Sequence, residues 1–197
     1  MSSEWRFLQL RDCLHCVVDN RGKTPPISDA KTPYGLIEIN AIVGSVKHPD
    51  MSAIRKYVSQ ETYQSWFRSG HPLPGDVLFS TVGSIAEIAI IKNSAGCIAQ
   101  NLVGLRANKE IVEPDYLYYV LVNPVTQSKL RTLDISSVQP SIKVPHLLAT
   151  EIAVPKLSLQ RDVIRVLTAL DDRITLLRET NATLEAIAQA MFKSWFV

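Results

Sequence analysis

Residues 158–196 read SLQRDVIRVLTALDDRITLLRETNATLEAIAQAMFKSWF, without a glycine or a proline. Apolar residues recur at alternating spacings of four and three, a 3.5-residue period typical of a coiled-coil seam. At 1.5 Å per residue the helix would be roughly 55 Å long, too long to bury its apolar stripe against one small domain. We therefore predict a long C-terminal helix that needs a partner. Its expected interface residues are Leu167, Leu170, Ile174, Leu177, Asn181, Leu184, Ile187, Met191, Phe192, Trp195 and Phe196.

Two features of this stripe refine the prediction. Asn181 is the polar seam position, and a buried Asn in a seam fixes register and partner geometry at some cost in stability. Toward the C-terminus the stripe widens through Ile187, Phe192 and Trp195, which favours contact with more than one helix. The alternative is a terminal helix that folds back and covers its stripe on the preceding domain.

Length and composition indicate one globular domain ahead of this helix. The chain has 197 residues, of which 46% are hydrophobic and 20% charged, so it can bury an ordinary core. We expect a domain over residues 1–155 and a spacer or dimerisation helix over 156–197. The net charge of +2 permits but does not demand a nucleic-acid partner. Without a signal peptide or membrane-spanning run, a cytoplasmic location without membrane contact is the default expectation.

Local patterns predict a mixed α/β (α+β) domain. We expect strands over residues 5–10, 36–39, 77–81, 85–91, 102–106 and 152–154, and helices over 12–18, in part of 47–69, from 114, from 124 and over 144–149. Asn123 is placed to cap the helix whose first residue is Pro124.

Motifs for common chemistries are incomplete. Asn123-Pro124 is followed by Val125 instead of a second proline, and no Gly-x-Gly exists, which argues against an S-adenosylmethionine-dependent methyltransferase. Arg21-Gly-Lys-Thr24 lacks the earlier glycine of a phosphate-binding Walker loop. Cys13 and Cys16 form a lone Cys-x-x-Cys without a second pair, so we expect reduced thiols on the first helix and no metal. The sequence therefore predicts a chain that is not itself an enzyme.

Two stretches suit nucleic acid, each with a simpler alternative. Arg21 and Lys23 flank Gly22 in a loop stiffened by two prolines, which fits phosphate contact or an ordinary solvated turn. Residues 47–69 interleave basic and aromatic side chains, which can stack on nucleic acid or pack a small helix onto a sheet.

Several motifs resemble the specificity subunit of type I restriction-modification enzymes. The most specific lie in the helix, and together they cover nearly the whole chain: Arg21-Gly-Lys-Thr-Pro-Pro26, Gly75-Asp-Val-Leu-Phe-Ser-Thr81, Ile98-Ala-Gln-Asn-Leu102, Tyr116-Leu-Tyr-Tyr119, Ser137-Val-Gln-Pro140, Ile152-Ala-Val-Pro155, Leu170-Asp-Asp-Arg-Ile174, Asn181-Ala-Thr-Leu-Glu-Ala186 and Phe192-Lys-Ser-Trp-Phe196. The usual subunit of this family has two target-recognition domains, each followed by a conserved spacer helix. The present sequence resembles the first half only.

The resemblance implies a set of partners. Each recognition domain would read one half of a bipartite double-stranded DNA target, while methylation subunits would grip the helices and a restriction subunit would cleave. S-adenosylmethionine, ATP and Mg are expected on those partner subunits and no cofactor on this chain. A half-length chain would pair through its helix with a second half-subunit or with a copy of itself.

Within that resemblance we assign candidate contacts to DNA. Basic residues would fix register on phosphates, and polar side chains near turns would read base edges. The phosphate candidates are Arg21, Lys23, Lys47, Lys56 and Arg131, and the base-edge candidates are Gln100, Asn101, Gln139 and Lys143. For Asn101 and Gln139 the alternative is an amide that only braces a loop.

Two other functions stay open at this point. One is a dimerisation or scaffold module that never touches DNA. The other is an orphan half-subunit that competes for the methylation partner.

Overall fold

The computed structural model describes residues 5–44, 47–93, 96–134 and 138–196. The chain divides into two compact units, Met1–Arg161 and Asp162–Val197, and the first unit includes the first turn of the long helix. The predicted mixed α/β fold followed by a long C-terminal helix is confirmed.

The first unit alternates short strands with short helices. Its strands are β1 Trp5–Gln9, β2 Leu14–Val18, β3 Leu36–Ile37, β4 Val77–Ser80, β5 Ile88–Ile90, β6 Cys97–Ile98, β7 Leu102–Ala107 and β8 Glu151–Pro155. Its α-helices are α1 Gln60–Ser65, α2 Pro114–Val122, α3 Pro124–Arg131 and α4 Val144–Leu148, with 3-10 turns at Leu10–Cys13, Ile39–Ala41 and Met51–Ala53. The long helix α5 spans Leu157–Phe196.

A four-stranded antiparallel sheet in the order β2-β7-β4-β5 forms the centre of the core. All four residues of β4 are buried, and Val77 pairs with Leu105 while Phe79 pairs with Val103. Consecutive buried residues show that both faces of this strand are covered, which explains its continuous apolar run.

Two further sheets have two strands each. Strands β1 and β8 pair antiparallel, so the N-terminal strand lies beside the strand that leads into α5. Strands β3 and β6 pair in parallel over two residues. Gly96, immediately before β6, has φ +75° and a side chain there would meet the Gly35 carbonyl oxygen at 2.3 Å. Glycine is therefore required for this close backbone approach.

The prediction of a helix over residues 12–18 is wrong. Leu10–Cys13 forms a 3-10 turn, and residues 14–18 form β2, which pairs with β7 around a bulge between Leu14 and Cys16. The β-branched pair Val17 and Val18 favours a strand, and pairing with β7 outweighs the short amphipathic pattern. The expectation that the cysteine pair lies on a first helix is corrected with it.

The other strands differ from their predicted boundaries by only a few residues. The strand predicted over residues 36–39 ends at Ile37, and that predicted over 85–91 narrows to Ile88–Ile90. Ala86, with φ +61°, turns the chain, and its amide donates to the Ser80 carbonyl oxygen. The Asn123 cap is confirmed, since its Oδ1 accepts from the Val125 amide at 2.9 Å and Pro124 begins α3. The short strand β6 was not predicted.

The helix α5 is continuous over 40 residues. Among the described residues, no helix combines the length and apolarity needed to cross a bilayer.

Candidate nucleic-acid interface

Three loops meet beyond the end of β4, at residues 81–83. The Thr81 amide donates to the Asn101 carbonyl oxygen, the Gly83 amide donates to the Pro140 carbonyl oxygen, and the Ile142 amide donates to the Thr81 carbonyl oxygen, each at 2.9–3.0 Å. Residues far apart in sequence are thereby fixed at one end of the central strands β4 and β7. We call this region the sheet-end loops, residues 81–84, 99–102 and 138–143.

The four base-edge candidates all lie on or beside the sheet-end loops. Gln100, Gln139 and Lys143 are exposed, whereas Asn101 is half-buried. The structure therefore brings together the polar side chains chosen from sequence, although their contact with bases stays a prediction. Ser137, the first residue of one motif, lies outside the described residues.

Asn101 differs from its neighbours in this group. Its carbonyl oxygen accepts from both the amide and the Oγ1 of Thr81, at 2.9 and 3.2 Å. Its side-chain Oδ1 is buried without a hydrogen-bond partner among the described residues. The backbone carbonyl of Asn101 thus braces the loop, whereas its Oδ1 is not presented to solvent. Whether the side-chain amide contacts a base or only braces the loop stays a prediction.

A second surface is an open concavity of about 540 Å³ between residues 19–23 and residues 65–69, which we call the basic groove. Its lining residues are Asp19, Asn20, Arg21, Gly22, Lys23, Ser65, Trp66, Arg68 and Ser69. Two phosphate candidates from the sequence, Arg21 and Lys23, lie here. Arg68 and Trp66 were not selected from sequence, because nothing local shows that they face the earlier loop.

Three hydrogen bonds fasten the walls of the basic groove. Asn20 Nδ2 donates to the Gly70 carbonyl oxygen at 2.9 Å, and Asn20 Oδ1 accepts from the Ser69 amide at 2.9 Å. Ser69 Oγ donates to the Asp19 carbonyl oxygen at 2.8 Å. The Asn20 side chain thus donates to one backbone group of the opposite wall and accepts from another, which fixes the distance between the loops.

Arg21 is held in place by Asp19. Its Nε and Nη2 donate to the two carboxylate oxygens at 2.8 and 2.7 Å. These hydrogen bonds lower the pKa of the Asp19 carboxyl, so the pair stays ionised. Two of the five guanidinium N–H groups are used here, which leaves three directed elsewhere.

Lys47 is poorly suited to the role predicted for it. Its ammonium group is 2.5 Å from Asp115 Oδ1 and donates to the Tyr119 hydroxyl at 3.2 Å, while its side chain is only 12% exposed. Burial acts to lower the pKa of Lys47, but the bonds to Asp115 and Tyr119 outweigh it and raise that pKa. A cation already neutralised inside the fold has little charge to offer a phosphate.

The remaining phosphate candidates lie elsewhere. Lys56 Nζ forms an ion pair with Glu38 at 2.7 Å on a half-exposed surface. Arg131 is exposed at the end of α3 and borders a separate concavity of about 260 Å³, together with Gly44 and Tyr118. The five predicted cations therefore do not form one continuous patch.

Asp76, within one of the motifs, has a structural role. It is 2% exposed and accepts from Arg106 Nε at 3.0 Å and Nη2 at 2.7 Å. The Leu73 amide donates to the same carboxylate at 2.8 Å, and Arg106 Nη2 also donates to the His71 carbonyl oxygen at 3.1 Å. This cluster ties β7 to the loop before β4 and presents no carboxylate to solvent.

The apolar stripe of α5 consists of exposed side chains. Its large side chains are between 45% and 69% exposed: Leu170, Ile174, Leu177, Leu184, Ile187, Met191, Phe192 and Trp195. Asn181 is also exposed, and Leu167 is half-buried. The predicted interface contact of Phe196 lies outside the described side chains.

Within the described ranges, no group of three or more His, Cys, Asp or Glu side chains is placed to hold a metal ion. Cys13, Cys16 and Cys97 are free thiols. Burial raises the pKa of Cys13 to about 11 and that of Cys97 to about 12, so neither is primed as a thiolate.

Sequence relatives point to one family. The chain is 29% identical over 128 residues to the type I restriction enzyme HindI specificity subunit of Haemophilus influenzae, covering 62% of this chain and 28% of that protein. It is 25% identical over 199 residues to the putative type I restriction enzyme MjaX specificity subunit of Methanocaldococcus jannaschii, covering 98% of this chain and 45% of the relative. The chain thus spans less than half the length of these relatives.

Solved structures share the fold. The HsdS subunit from Thermoanaerobacter tengcongensis superposes with a TM-score of 0.63 at 21% identity, over 98% of this chain and 45% of that one. A chain from a study of complex assembly and conformational transition of the type I R-M system gives a TM-score of 0.68 at 20% identity, over 98% and 45% of the two chains.

A family profile extends over both units of the structure. The family described as "Type I restriction modification DNA specificity domain" matches residues 2–186, which include the globular unit and most of α5. A specificity domain agrees with the expectation that the chain is not itself an enzyme. The chain belongs to the family of type I restriction-modification DNA specificity domains.

Proposed function

We propose that the chain reads DNA sequence for a type I restriction-modification enzyme, with residues 1–155 as one recognition domain and residues 156–197 as a spacer helix. One observation supports this proposal above all: a globular unit of the specificity-domain family continues into a 40-residue helix whose apolar stripe is exposed. A recognition unit and an unpaired spacer are the two parts that such a subunit requires.

In this proposal the first unit binds double-stranded DNA and reads one half of a bipartite target. The sheet-end loops supply exposed polar side chains, Gln100, Gln139 and Lys143, which suit readout of base edges. Because loops carry few packing constraints, they can differ in sequence while the sheet keeps its shape.

The helix α5 would pair with a second helix and set the separation of the two half-sites. The second helix belongs to another half-subunit or to a copy of this chain, and a symmetric pair would produce a palindrome-like target. The wide stripe at Ile187, Phe192 and Trp195 leaves area for a methylation subunit beside the partner helix. A restriction subunit would complete the assembly.

The chemistry would belong to those partners, with S-adenosylmethionine on the methylation subunits and ATP and Mg on the restriction subunit. This chain would act only by binding and positioning. The cytoplasmic location expected from the sequence stays a prediction.

Reconstitution tests the proposal. The chain mixed with a methylation subunit and S-adenosylmethionine should transfer methyl groups to duplex DNA, and either protein alone should not. A stable complex without methyl transfer would favour the orphan competitor.

Binding of the chain to duplex DNA across a salt series tests the scaffold alternative. Contacts to phosphates make affinity fall as salt rises, because condensed counterions are released on binding. The absence of binding at low salt would leave the scaffold function.

A further inference from the structure

We propose that the basic groove binds a phosphodiester segment of the DNA backbone, with Lys23 and Arg68 as the principal phosphate contacts and Trp66 packed against the adjoining sugar. This inference rests on the proposed function and deepens it, because it assigns a phosphate site that includes two residues outside the sequence-based candidates.

The charge of the groove supports an anionic occupant. Lys23 and Arg68 are exposed, and neither forms an ion pair with another described residue. Arg21 adds a third cation from the same wall as Lys23, and Asp19 offsets one of the three. Lys47 and Lys56, in contrast, already face carboxylates. The groove thus carries two exposed cations without an ion-pair partner among the described residues.

The geometry of the groove is fixed before any ligand arrives. The three hydrogen bonds of Asn20 and Ser69 join loops about fifty residues apart in sequence, so the backbone segments that carry Lys23 and Arg68 keep a set separation. Gly22, with φ +123°, turns the backbone between Arg21 and Lys23, a conformation that side-chain-bearing residues rarely adopt. A preformed site loses less conformational entropy when the backbone of DNA binds.

Trp66 gives the groove an apolar surface beside its cations. It follows α1, and its side chain is partly exposed at 37%. The apolar face of an indole next to positive charge can pack against a deoxyribose while the cations face its phosphate. The groove is also open and about 540 Å³, large enough for a short stretch of backbone.

The salt dependence of binding by the full-length chain tests this assignment. Each phosphate neutralised contributes about 0.9 to the slope of log K against log salt for duplex DNA. The double variant Lys23→Gln/Arg68→Gln should lower the magnitude of this slope by about 1.8 relative to the wild type. Binding should weaken to the same extent on target and random duplexes, because phosphates carry no sequence information.

A matched control removes the same charge elsewhere. Lys109→Gln/Lys156→Gln changes two exposed lysines outside the groove and should keep the wild-type slope. If the groove variant keeps the wild-type slope, or if both double variants lose the same amount, the assignment is wrong while DNA binding stands. If the wild-type chain shows no salt-dependent binding, the proposed function falls as well.

The affinity of Trp66 variants for duplex DNA tests the contribution of the indole. Trp66→Ala should weaken binding several-fold without changing the salt slope, because no charge is removed, and Trp66→Phe should restore most of the affinity. Equal affinity of wild type and Trp66→Ala would remove the indole from the site.

Discussion

Gln160 and Glu113 are joined by a hydrogen bond: the backbone amide of Glu113 donates to Gln160 Oε1 at 2.8 Å, and the Gln160 side chain is 0% exposed. Gln160 Nε2 donates to the carbonyl oxygens of Ile111 and Pro155 at 2.9 and 2.8 Å. One amide in the first turn of α5 thus satisfies three backbone groups and anchors that turn within the first unit.

Replacing this amide should destabilise the fold. Gln160→Leu would remove a hydrogen-bond partner from the Glu113 amide and from two carbonyl oxygens around a fully buried side chain, at a cost of about 2–4 kcal/mol. Urea unfolding of the full chain measures the loss. The control is Arg161→Gln, which removes an exposed ion pair to the same Glu113 and should cost less than about 1 kcal/mol. Equal losses would show that Gln160 is not the anchor.

The buried pair of Asp76 and Arg106 supports a second prediction. Asp76→Asn keeps the volume of the side chain but places an amide where two guanidinium N–H groups and the Leu73 amide need acceptors. We expect a loss of about 2–4 kcal/mol in unfolding free energy, somewhat reduced because Arg106 is partly exposed. Thermal unfolding measures this loss. The control Glu38→Gln, at an exposed ion pair, should change the unfolding free energy little. A stable Asp76→Asn protein would contradict this role.

His71 should make stability depend on pH. Its Nε2 donates to the Tyr63 carbonyl oxygen at 2.8 Å, its ring stacks on Tyr63 at 3.6 Å, and its Nδ1 is buried without a partner among the described residues. Burial lowers the pKa of His71 in the folded protein. The unfolded chain therefore binds more protons just below the ordinary pKa of about 6.5, and stability falls as pH drops through that range.

Urea unfolding between pH 7.5 and 5.5 checks the effect of His71. The wild type should lose more stability on acidification than His71→Gln, which cannot titrate. Parallel pH profiles for the two proteins would show that His71 contributes nothing to the pH dependence.

Asn181 should limit the stability of the helix assembly. Asn181→Leu should give a tighter assembly with altered register or stoichiometry, because a polar seam residue restricts the partners that fit. Sedimentation equilibrium measures the change, and Thr183→Leu, two residues along and off the seam, is the matched control. If Asn181→Leu leaves association unchanged, or acts no differently from Thr183→Leu, then Asn181 is not in the seam.

Local sequence patterns were sufficient to predict the long helix and one helix cap. The 3.5-residue period predicted α5 because helical periodicity depends only on nearby residues, and the Asn123-Pro124 pair predicted a cap for the same reason. Residues 12–18 were misassigned because their pairing with β7, about ninety residues away, decides their structure. Tertiary contacts override weak local preference in so short a segment.

The candidate site could likewise be predicted only in part from local sequence. Arg21 and Lys23 were selected from their loop, but the position of Arg68 opposite them depends on the hydrogen bonds of Asn20 to Ser69 and Gly70, which no local pattern reveals. Lys47 looked available because its partner Asp115 lies far along the chain. Sequence thus identified the residue types, while the long-range contacts determine which of them face solvent.

Selection from a random duplex library tests most directly whether this chain reads DNA sequence. The chain, bound to a methylation subunit, should enrich one short half-site, present twice at a fixed separation if its helix pairs with a second copy. Recovered duplexes that match the starting library in composition would contradict the account, because the sheet-end loops would then read no bases.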